Sequence, residues 1–280
     1  MQVFLNGQLL EKQEAKVSVL DRGFIFGDGV YEVIPVYTGR LFRFTEHLER
    51  LQNSLDAIDI SNPYSHTEWN KICDDVIASC PGDADKSVYI QVTRGVSDRQ
   101  HLYPDNITPT VFVMCNLTEA HSYHDGVMAI THEDIRWHRC DIKAITLLPN
   151  IMLRQLARNS GGAYEAILVR NNRVTEGAAS NVFMVKDGVV YTPPKDGHIL
   201  PGITRDLVVE LLQASGQGIL EQDFSLQELK DADEVWLTGS TTGVAPVIQI
   251  DGDAVSDGCP GQYWRNANNL FNQYIEKIKT

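Results

Sequence analysis

Hydrophobic and polar positions in the first third of the chain alternate in some segments and recur with helical spacing in others. Residues 3–10 alternate about Asn6-Gly7, which predicts a β-hairpin because Asn-Gly favours the two-residue hairpin turn. Apolar residues at helical spacing after Thr45, a possible N-cap, predict a helix that ends before Pro63. A second helix is predicted over residues 66–79, with strands over residues 29–37, 87–93 and 110–115.

The second half of the chain changes to hairpins interleaved with helices. Helices are predicted near residues 150–158 and 204–215, with strands over residues 127–132, 164–169, 182–185, 189–192, 234–237 and 247–250. Hairpins among helices indicate an α+β, or mixed α/β, fold instead of a regular winding of parallel strands. An unpatterned polar stretch, residues 118–125, is the expected linker between a small α/β domain, residues 1–117, and a large α/β domain, residues 126–280.

The composition is that of an ordinary globular protein, and it narrows the possible partners. Of 280 residues 43% are hydrophobic and 22% charged, which excludes disorder as the main character of the chain. The net charge of −13 repels nucleic acid and anionic membranes, so neither is an expected partner. Five cysteines without Cys-x-x-Cys spacing, no signal-peptide pattern and no apolar run of about 18 residues predict a cytoplasmic protein.

A single lysine, Lys143, lies between Ile142 and Ala144 and is followed by further apolar residues. Apolar surroundings disfavour a charged ammonium, and a neutral amine can attack a carbonyl group to form a Schiff base. The alternative is a lysine at the end of a strand that extends its stem to solvent. Cys140 nearby is more simply explained as a small buried hydrophobic residue.

Another segment, residues 174–185, places one carboxylate, Glu176, before three small residues and a strand. Small residues such as Gly177 and Ala178 let a flat ligand approach the backbone, and the carboxylate could pair with a ring nitrogen. A turn with a capping glutamate is the alternative for the same segment.

Two turns offer sites for an anion. The helix expected after Gly202 begins near Ile203, with unpaired backbone N–H groups at its positive end. The turn within residues 237–247 presents the hydroxyl groups of Ser240, Thr241 and Thr242. Ordinary caps and turns use the same residue types. Together, however, a lysine, an acid and two phosphate-sized cradles fit pyridoxal phosphate better than any other cofactor.

These segments, with residues 21–33 (DRGFIFGDGVYEV) and 46–51 (EHLERL), resemble the fold-type-IV pyridoxal-phosphate enzymes over about residues 3–252. That family contains branched-chain aminotransferases, D-amino acid aminotransferases and aminodeoxychorismate lyases. The resemblance implies a two-domain architecture with the cofactor on a barrel-like sheet of the large domain. It implies that Lys143 forms the Schiff base and moves the proton, and that Glu176 pairs with the pyridine nitrogen. The implied cofactor-binding residues are Lys143, Glu176, Arg50, Ile203, Thr204, Ser240 and Thr241.

Arg99 and His101 decide the expected subfamily. Residues two apart on an extended loop point the same way, and arginine can bind a carboxylate through two hydrogen bonds; a solvated polar loop is the alternative. With the family in view, this Arg-x-His pair resembles the substrate-carboxylate site of D-amino acid aminotransferases, with Tyr31 as third member and Thr241 as a further substrate contact. In the family this loop comes from the neighbouring subunit, which implies a homodimer with the active site at the subunit interface.

The resemblance implies a ping-pong transamination. A D-amino acid such as D-alanine gives its amino group to the cofactor, and an α-keto acid such as 2-oxoglutarate then takes it up. The expected partners are therefore small amino acids and α-keto acids. No metal ion is expected, because four histidines share no helical face or fixed geometry: His121, His124, His132 and His138.

Three features depart from the pattern of D-amino acid enzymes. Gly243 stands where an acidic residue is usual, the Thr238-Gly239 pair looks more like the branched-chain version, and Pro35 replaces a longer side chain. A broad or shifted substrate preference is therefore expected. The alternatives among enzymes are an L-branched-chain aminotransferase, an (R)-selective amine transaminase and an aminodeoxychorismate lyase. Outside the enzymes they are a non-catalytic pyridoxal-phosphate carrier and a small-molecule binding module.

Overall fold

The computed structural model describes residues 1–82, 84–118 and 123–279, and the chain divides into two compact units. Unit 1 comprises Met1–Ala120, Ile142–Leu147 and Lys279; unit 2 comprises His121–Asp141, Leu148–Ile278 and Thr280. Residues 142–147 group with unit 1, where Ala144 forms a β-bridge with Val30, although the predicted large domain included them. The predicted domain limits stay a prediction, and residues 119–122 of the predicted linker lie outside the described residues.

Unit 1 is built on an antiparallel sheet of six strands within the described residues. Its first hairpin turns at Asn6 and Gly7, both with positive φ (48° and 90°), which confirms the hairpin predicted at residues 3–10. The strands in spatial order are β2 (Gln8–Glu11), β1 (Gln2–Leu5), β6 (Thr110–Leu117), β5 (Lys86–Thr93), β3 (Gly29–Tyr37) and β4 (Arg40–Leu41).

The helices of unit 1 are α1 (Arg22–Phe26), α2 (Phe44–Asp56) and α3 (His66–Ser79). The prediction of a helix over residues 66–79 is confirmed by α3. A capping box of Ser65 and Glu68 fixes the start of this helix. The predicted cap of α2 is wrong: its N-cap is Arg43, in a left-handed conformation with φ 45°, and not Thr45. Its end at Asp56 also precedes the predicted stop.

The core of unit 1 forms where α2 and α3 pack on one face of the sheet. Leu51 of α2, Trp69 of α3 and Ile34 of β3 are at most 1% exposed in one apolar cluster. Each such side chain stabilises the fold by about 1.5–3 kcal/mol when it leaves water. This packing fixes β3, on which Tyr31 and Glu32 point to opposite faces.

Unit 2 is built on a mixed sheet that contains parallel and antiparallel pairs. The short hairpins predicted among its helices are confirmed, as is the mixed α/β class. The strands in spatial order are β12 (Ile219–Glu221), β11 (Val189–Thr192), β10 (Asn181–Lys186), β13 (Glu234–Gly239), β14 (Gly243–Ile250), β7 (Val127–Glu133), β8 (Glu165–Arg170) and β9 (Arg173–Gly177), with β15 (Asp253–Ala254) paired to β14.

The helices of unit 2 include one long helix that was not predicted. The two predicted ones are α4 (Leu148–Asn159) and α5 (Ile203–Ala214), within two residues of the expected bounds at each end. The others are α6 (Leu226–Lys230) and α7 (Gln262–Lys279), whose buried residues Trp264, Ala267, Phe271 and Ile275 follow helical spacing. Across residues 1–82, 84–118 and 123–279, no helix combines the length and hydrophobicity needed to cross a bilayer.

Candidate functional site

Lys143 is held at both of its backbone polar groups. Its carbonyl accepts a hydrogen bond from the Tyr31 N–H (2.9 Å), and its own N–H donates to Ser54 Oγ (3.2 Å). Its Nζ lies 4.3 Å from the centroid of the Tyr31 ring, a position in which the face of the ring attracts an ammonium. Among the described residues no carboxylate pairs with Lys143. The backbone of Lys143 is therefore held on both sides, and its amine lies over the Tyr31 ring without an ion pair among the described residues.

Glu32, next to Tyr31 on β3, is the centre of a buried charged cluster in unit 1. Arg50 donates from Nε to Glu32 Oε1 (2.7 Å) and from Nη2 to Oε2 (2.8 Å), and His47 Nδ1 lies 2.8 Å from Oε2. Burial opposes ionisation of Glu32, but the charge and hydrogen bonds of Arg50, with those of His47, hold its pKa well below the usual range. The carboxylate therefore stays ionised.

This cluster fixes the orientation of Arg50, which the resemblance makes a phosphate ligand. Arg50 is 5% exposed, and two of its N–H groups bind Glu32. Burial lowers the pKa of His47 against the influence of Glu32, and His47 Nε2 is buried without a hydrogen-bond partner in the described part of the chain. Phosphate binding by Arg50 stays a prediction.

The predicted carboxylate-binding pair lies on an exposed loop of unit 1. Arg99 Cζ is 5.3 Å from the centroid of the Phe26 ring and the His101 ring is 5.6 Å from it, so both side chains meet the same ring. Buried Arg22 donates to the Gln100 carbonyl (2.6 Å) and thereby anchors the loop. For the residues that the structure describes, no hydrogen bond, ion pair or ring contact joins Arg99 or His101 to Tyr31.

Glu176 lies on strand β9 of unit 2 and is 4% exposed, so the alternative of a capping glutamate in a turn is wrong. Its Oε1 accepts a hydrogen bond from Arg136 Nη1, and its Oε2 accepts from Asn181 Nδ2 (3.0 Å) and the Leu200 N–H (3.0 Å). Burial raises the pKa of Glu176 to about 7, against the opposing charge and hydrogen bond of Arg136. A buried carboxyl that changes charge near neutral pH is a candidate functional group.

The N-terminus of α5 offers unpaired N–H groups at its predicted place. Its N-cap is Gly202, which supplies no side-chain cap, and Ile203 and Thr204 are buried in the first turn. A Cβ at Gly202 would lie 2.0 Å from Asn181 Oδ1, so this close approach requires glycine. The turn between β13 and β14 carries Ser240, half-buried, and Thr241, exposed, each with a hydroxyl group.

Four further residues influence the charge of the predicted site residues Arg50 and Glu176, and the sequence analysis did not identify them: Glu32, His47, Asp134 and Arg136. For Glu32 a signal exists, because Val30, Glu32 and Ile34 share one face of β3, and a charged residue in an apolar row indicates a buried partner. His47 and Arg50, three apart on a helix, share a face as well. No comparable pattern indicates Arg136.

Each unit, taken by itself, contains groups of the kind that bind part of a cofactor with an aldehyde, a basic ring nitrogen and a phosphate. Unit 1 contains the amine of Lys143, which forms no ion pair with any described carboxylate. Unit 2 offers Glu176, a carboxyl that changes charge near neutral pH, and the unpaired amides at the start of α5. Each of these is the partner that one group of such a cofactor requires.

Comparison with known proteins identifies the family. The model of the amino-transferase class IV family matches residues 29–250, so the chain belongs to the class IV aminotransferases. The resemblance inferred from the sequence motifs is therefore confirmed.

Within this family, the chain is similar to D-alanine aminotransferases in sequence and to branched-chain aminotransferases in structure. The chain is 40% identical to a D-alanine aminotransferase of Bacillus licheniformis over 100% of both chains, and 40% identical to one of Staphylococcus haemolyticus over 98% of both. It is also similar to the branched-chain aminotransferase of the thermophilic archaeon Thermoproteus uzoniensis, solved with norvaline. That structure has a TM-score of 0.89 and 28% identity, with 98% of this chain and 94% of the other covered.

Proposed function

We propose that this protein is a pyridoxal-phosphate-dependent transaminase that moves the amino group of a D-amino acid, such as D-alanine, to an α-keto acid such as 2-oxoglutarate. The observation that carries the proposal is the amine of Lys143, fixed through its backbone and paired with no described carboxylate. The two relatives named D-alanine aminotransferase, each 40% identical over almost the whole chain, support D-amino acids as donors.

Pyridoxal phosphate, when bound, supplies a pyridine ring that withdraws electrons from the substrate Cα. Lys143 would hold the cofactor through its aldehyde, and its amine would carry the proton that leaves the substrate Cα. Ionised Glu176 accepts the N–H of the ring. The remaining proposed cofactor ligands bind the phosphate: Arg50, Ile203, Thr204, Ser240 and Thr241.

Arg99, His101 and Tyr31 bind the substrate carboxylate in this proposal, with Thr241 as a further substrate contact. Because the first two contact Phe26 and have no described polar or ring contact with Tyr31, we propose that they serve the Tyr31 of a second copy in a homodimer. Arginine suits this task because its planar fork matches a carboxylate. Five unpaired cysteines support a reducing, cytoplasmic location.

The experiment that tests the proposal is a half-reaction followed by absorbance. Protein loaded with pyridoxal phosphate is mixed separately with D-alanine and with L-leucine, and the visible band of the bound cofactor is followed. Conversion to pyridoxamine phosphate by D-alanine alone supports the proposal, and no conversion by D-alanine contradicts it. Lys143→Ala should show no conversion, whereas Lys71→Ala, which removes an exposed lysine paired with Asp75, should convert like the unaltered protein.

An L-branched-chain aminotransferase is the second candidate. It is favoured by the Thr238-Gly239 pair at the end of β13 and by the similarity to the branched-chain enzyme of Thermoproteus uzoniensis. Conversion by L-leucine alone in the same half-reaction would select this candidate over the first.

A further inference from the structure

Arg136 connects the buried carboxylate of Glu176 to a second buried carboxylate, that of Asp134. Its Nε and Nη2 donate to Asp134 Oδ1 and Oδ2, each at 2.9 Å, while its Nη1 donates to Glu176 Oε1. Asp134 Oδ2 also accepts a hydrogen bond from Thr175 Oγ1 (3.1 Å) and forms an ion pair with Arg170 Nη2 (3.1 Å). The guanidinium of Arg136 is thus divided between two carboxylates, with only 7% of its side chain exposed.

Counting hydrogen bonds leaves room for one more donor on Glu176. A carboxylate has about four acceptor positions, two on each oxygen. Asn181 and the Leu200 N–H fill both positions on Oε2, whereas Oε1 accepts only from Arg136 among the described residues. One position on Oε1 therefore remains for a donor such as a pyridinium N–H.

We infer that Arg136 is a positioning residue for the cofactor ring: by binding Oε1 while it shares its charge with Asp134, it keeps Glu176 ionised and oriented to accept the ring N–H. This inference rests on the proposed function. Without Arg136, the buried carboxyl takes up a proton and loses the negative charge that balances a pyridinium. Without Asp134, the whole positive charge of Arg136 acts on Glu176 and competes with the ring for the carboxylate.

Removal of the charge of Arg136 and removal of the charge of Asp134 should change the pKa of Glu176 in opposite directions. Loss of the positive charge of Arg136 raises the pKa of Glu176, and loss of the negative charge of Asp134 lowers it. Arg170 adds positive charge through Asp134. Cys140 is another titratable group at this cluster. Burial raises the pKa of its thiol to about 11, so it stays uncharged at the pH values where Glu176 titrates.

The test titrates Glu176 in the apoprotein by infrared difference spectroscopy, with its carboxyl band assigned by the loss of that band in Glu176→Gln. The midpoint in the unaltered protein is expected at about 7. Arg136→Gln should move it upward by about one pH unit or more, and Asp134→Asn should move it downward. Arg139→Gln is the matched control, because it removes an exposed arginine paired with Asp141, and it should leave the midpoint in place.

A second readout uses the loaded protein and the nitrogen-15 shift of the cofactor ring. Arg136→Gln should lose the pyridinium signal, and Arg136→Lys, which keeps the charge, should restore part of it. An unmoved midpoint in Asp134→Asn overturns the inference even where Arg136→Gln fails to fold, and so do shifts of equal sign in both variants. Failure of the proposed function looks different: the unaltered loaded protein does not convert D-alanine, while the two midpoints still move apart.

Discussion

Each unit contains a buried glutamate paired with a buried arginine, yet the two carboxyl groups hold their charge differently. In unit 1, Arg50 donates two hydrogen bonds to Glu32, and although burial opposes ionisation, the pKa of Glu32 is held well below its usual range. In unit 2, the guanidinium of Arg136 donates one hydrogen bond to Glu176 and two to Asp134, and burial raises the pKa of Glu176 to about 7.

The sharing of a guanidinium accounts for the different pKa values of these two buried carboxyl groups. The planar fork of an arginine concentrates its charge on the carboxylate that it binds through two parallel bonds. Glu32 receives that fork and stays ionised at neutral pH, where it orients Arg50. Glu176 receives only one hydrogen bond from the guanidinium of Arg136, so its pKa also depends on burial and on the charge of Asp134.

Glu32→Gln should break the unit 1 cluster with the largest effect on stability. It leaves the buried charge of Arg50 without its partner, which costs about 3–5 kcal/mol in free energy of unfolding. Urea denaturation measures this cost. In the control Glu46→Gln, which removes the half-exposed partner of Arg43, the loss should be about 0–1 kcal/mol. Equal losses in the two variants would show that the fork between Arg50 and Glu32 does not stabilise unit 1.

Glu176→Gln should act mainly on catalysis. Removal of the negative charge proposed to balance the ring should lower kcat in the D-alanine reaction by about 10²–10³-fold. Its loss of stability should be smaller than that of Glu32→Gln, because the guanidinium of Arg136 keeps both of its hydrogen bonds to Asp134. Steady-state kinetics and urea denaturation of the two variants, measured side by side, check the contrast. A Glu176→Gln protein with unchanged kcat would remove Glu176 from the reaction.

Stability should depend on pH with opposite sign for the two glutamates. The pKa of Glu176 is raised from 4.5 to about 7 in the folded state, so its contribution is favourable below pH 4.5 and is lost as the pH rises toward 7, by about 3 kcal/mol in all. The pKa of Glu32 is lowered, so its contribution is present above pH 4.5 and is lost as the pH falls. Urea midpoints of each Glu→Gln variant across the pH range separate the two. A Glu176→Gln profile identical to that of the unaltered protein would refute the assignment.

Arg99→Ala should have the smallest effect of these substitutions. In contrast to Arg50 and Arg136, Arg99 is exposed and no described carboxylate pairs with it, so stability should be unchanged. Loss of a charged hydrogen bond of about 1.5–3 kcal/mol to the substrate should raise KM for D-alanine about 10- to 100-fold. A primary amine without a carboxylate is the control substrate, and its kinetics should not change. Equal effects on both substrates would contradict carboxylate binding.

Most elements of the fold could be predicted because their apolar periodicity is local. The strands β3 and β5 and the helix α3 carry that periodicity together with clear ends, such as the capping box at Ser65. The start of α2 could not be predicted, because Arg43 in a left-handed conformation is not a usual cap. The helix α7 was missed although Trp264, Ala267, Phe271 and Ile275 recur every three or four residues.

Site residues could be predicted only where they lie in a short segment that resembles a motif of the family. Lys143, Glu176 and Arg50 follow from short segments that resemble the family. The groups that set their charge do not, because Arg136 and Glu176 are 40 residues apart and meet only through folding. The same holds for Glu32 and Arg50, 18 residues apart, which need both β3 and α2 in place. Charge states therefore belong to the tertiary structure.

The measurement that tests the contrast between the two carboxyl groups most directly is a carbon-13 NMR titration of their carboxyl carbons. Glutamate labelled at this carbon is introduced into the protein, and the two resonances are assigned by their loss in Glu32→Gln and Glu176→Gln. We expect the Glu176 resonance to move with a midpoint at about 7 and the Glu32 resonance not to move at any pH above 4.5. Two resonances that titrate together would contradict the contrast.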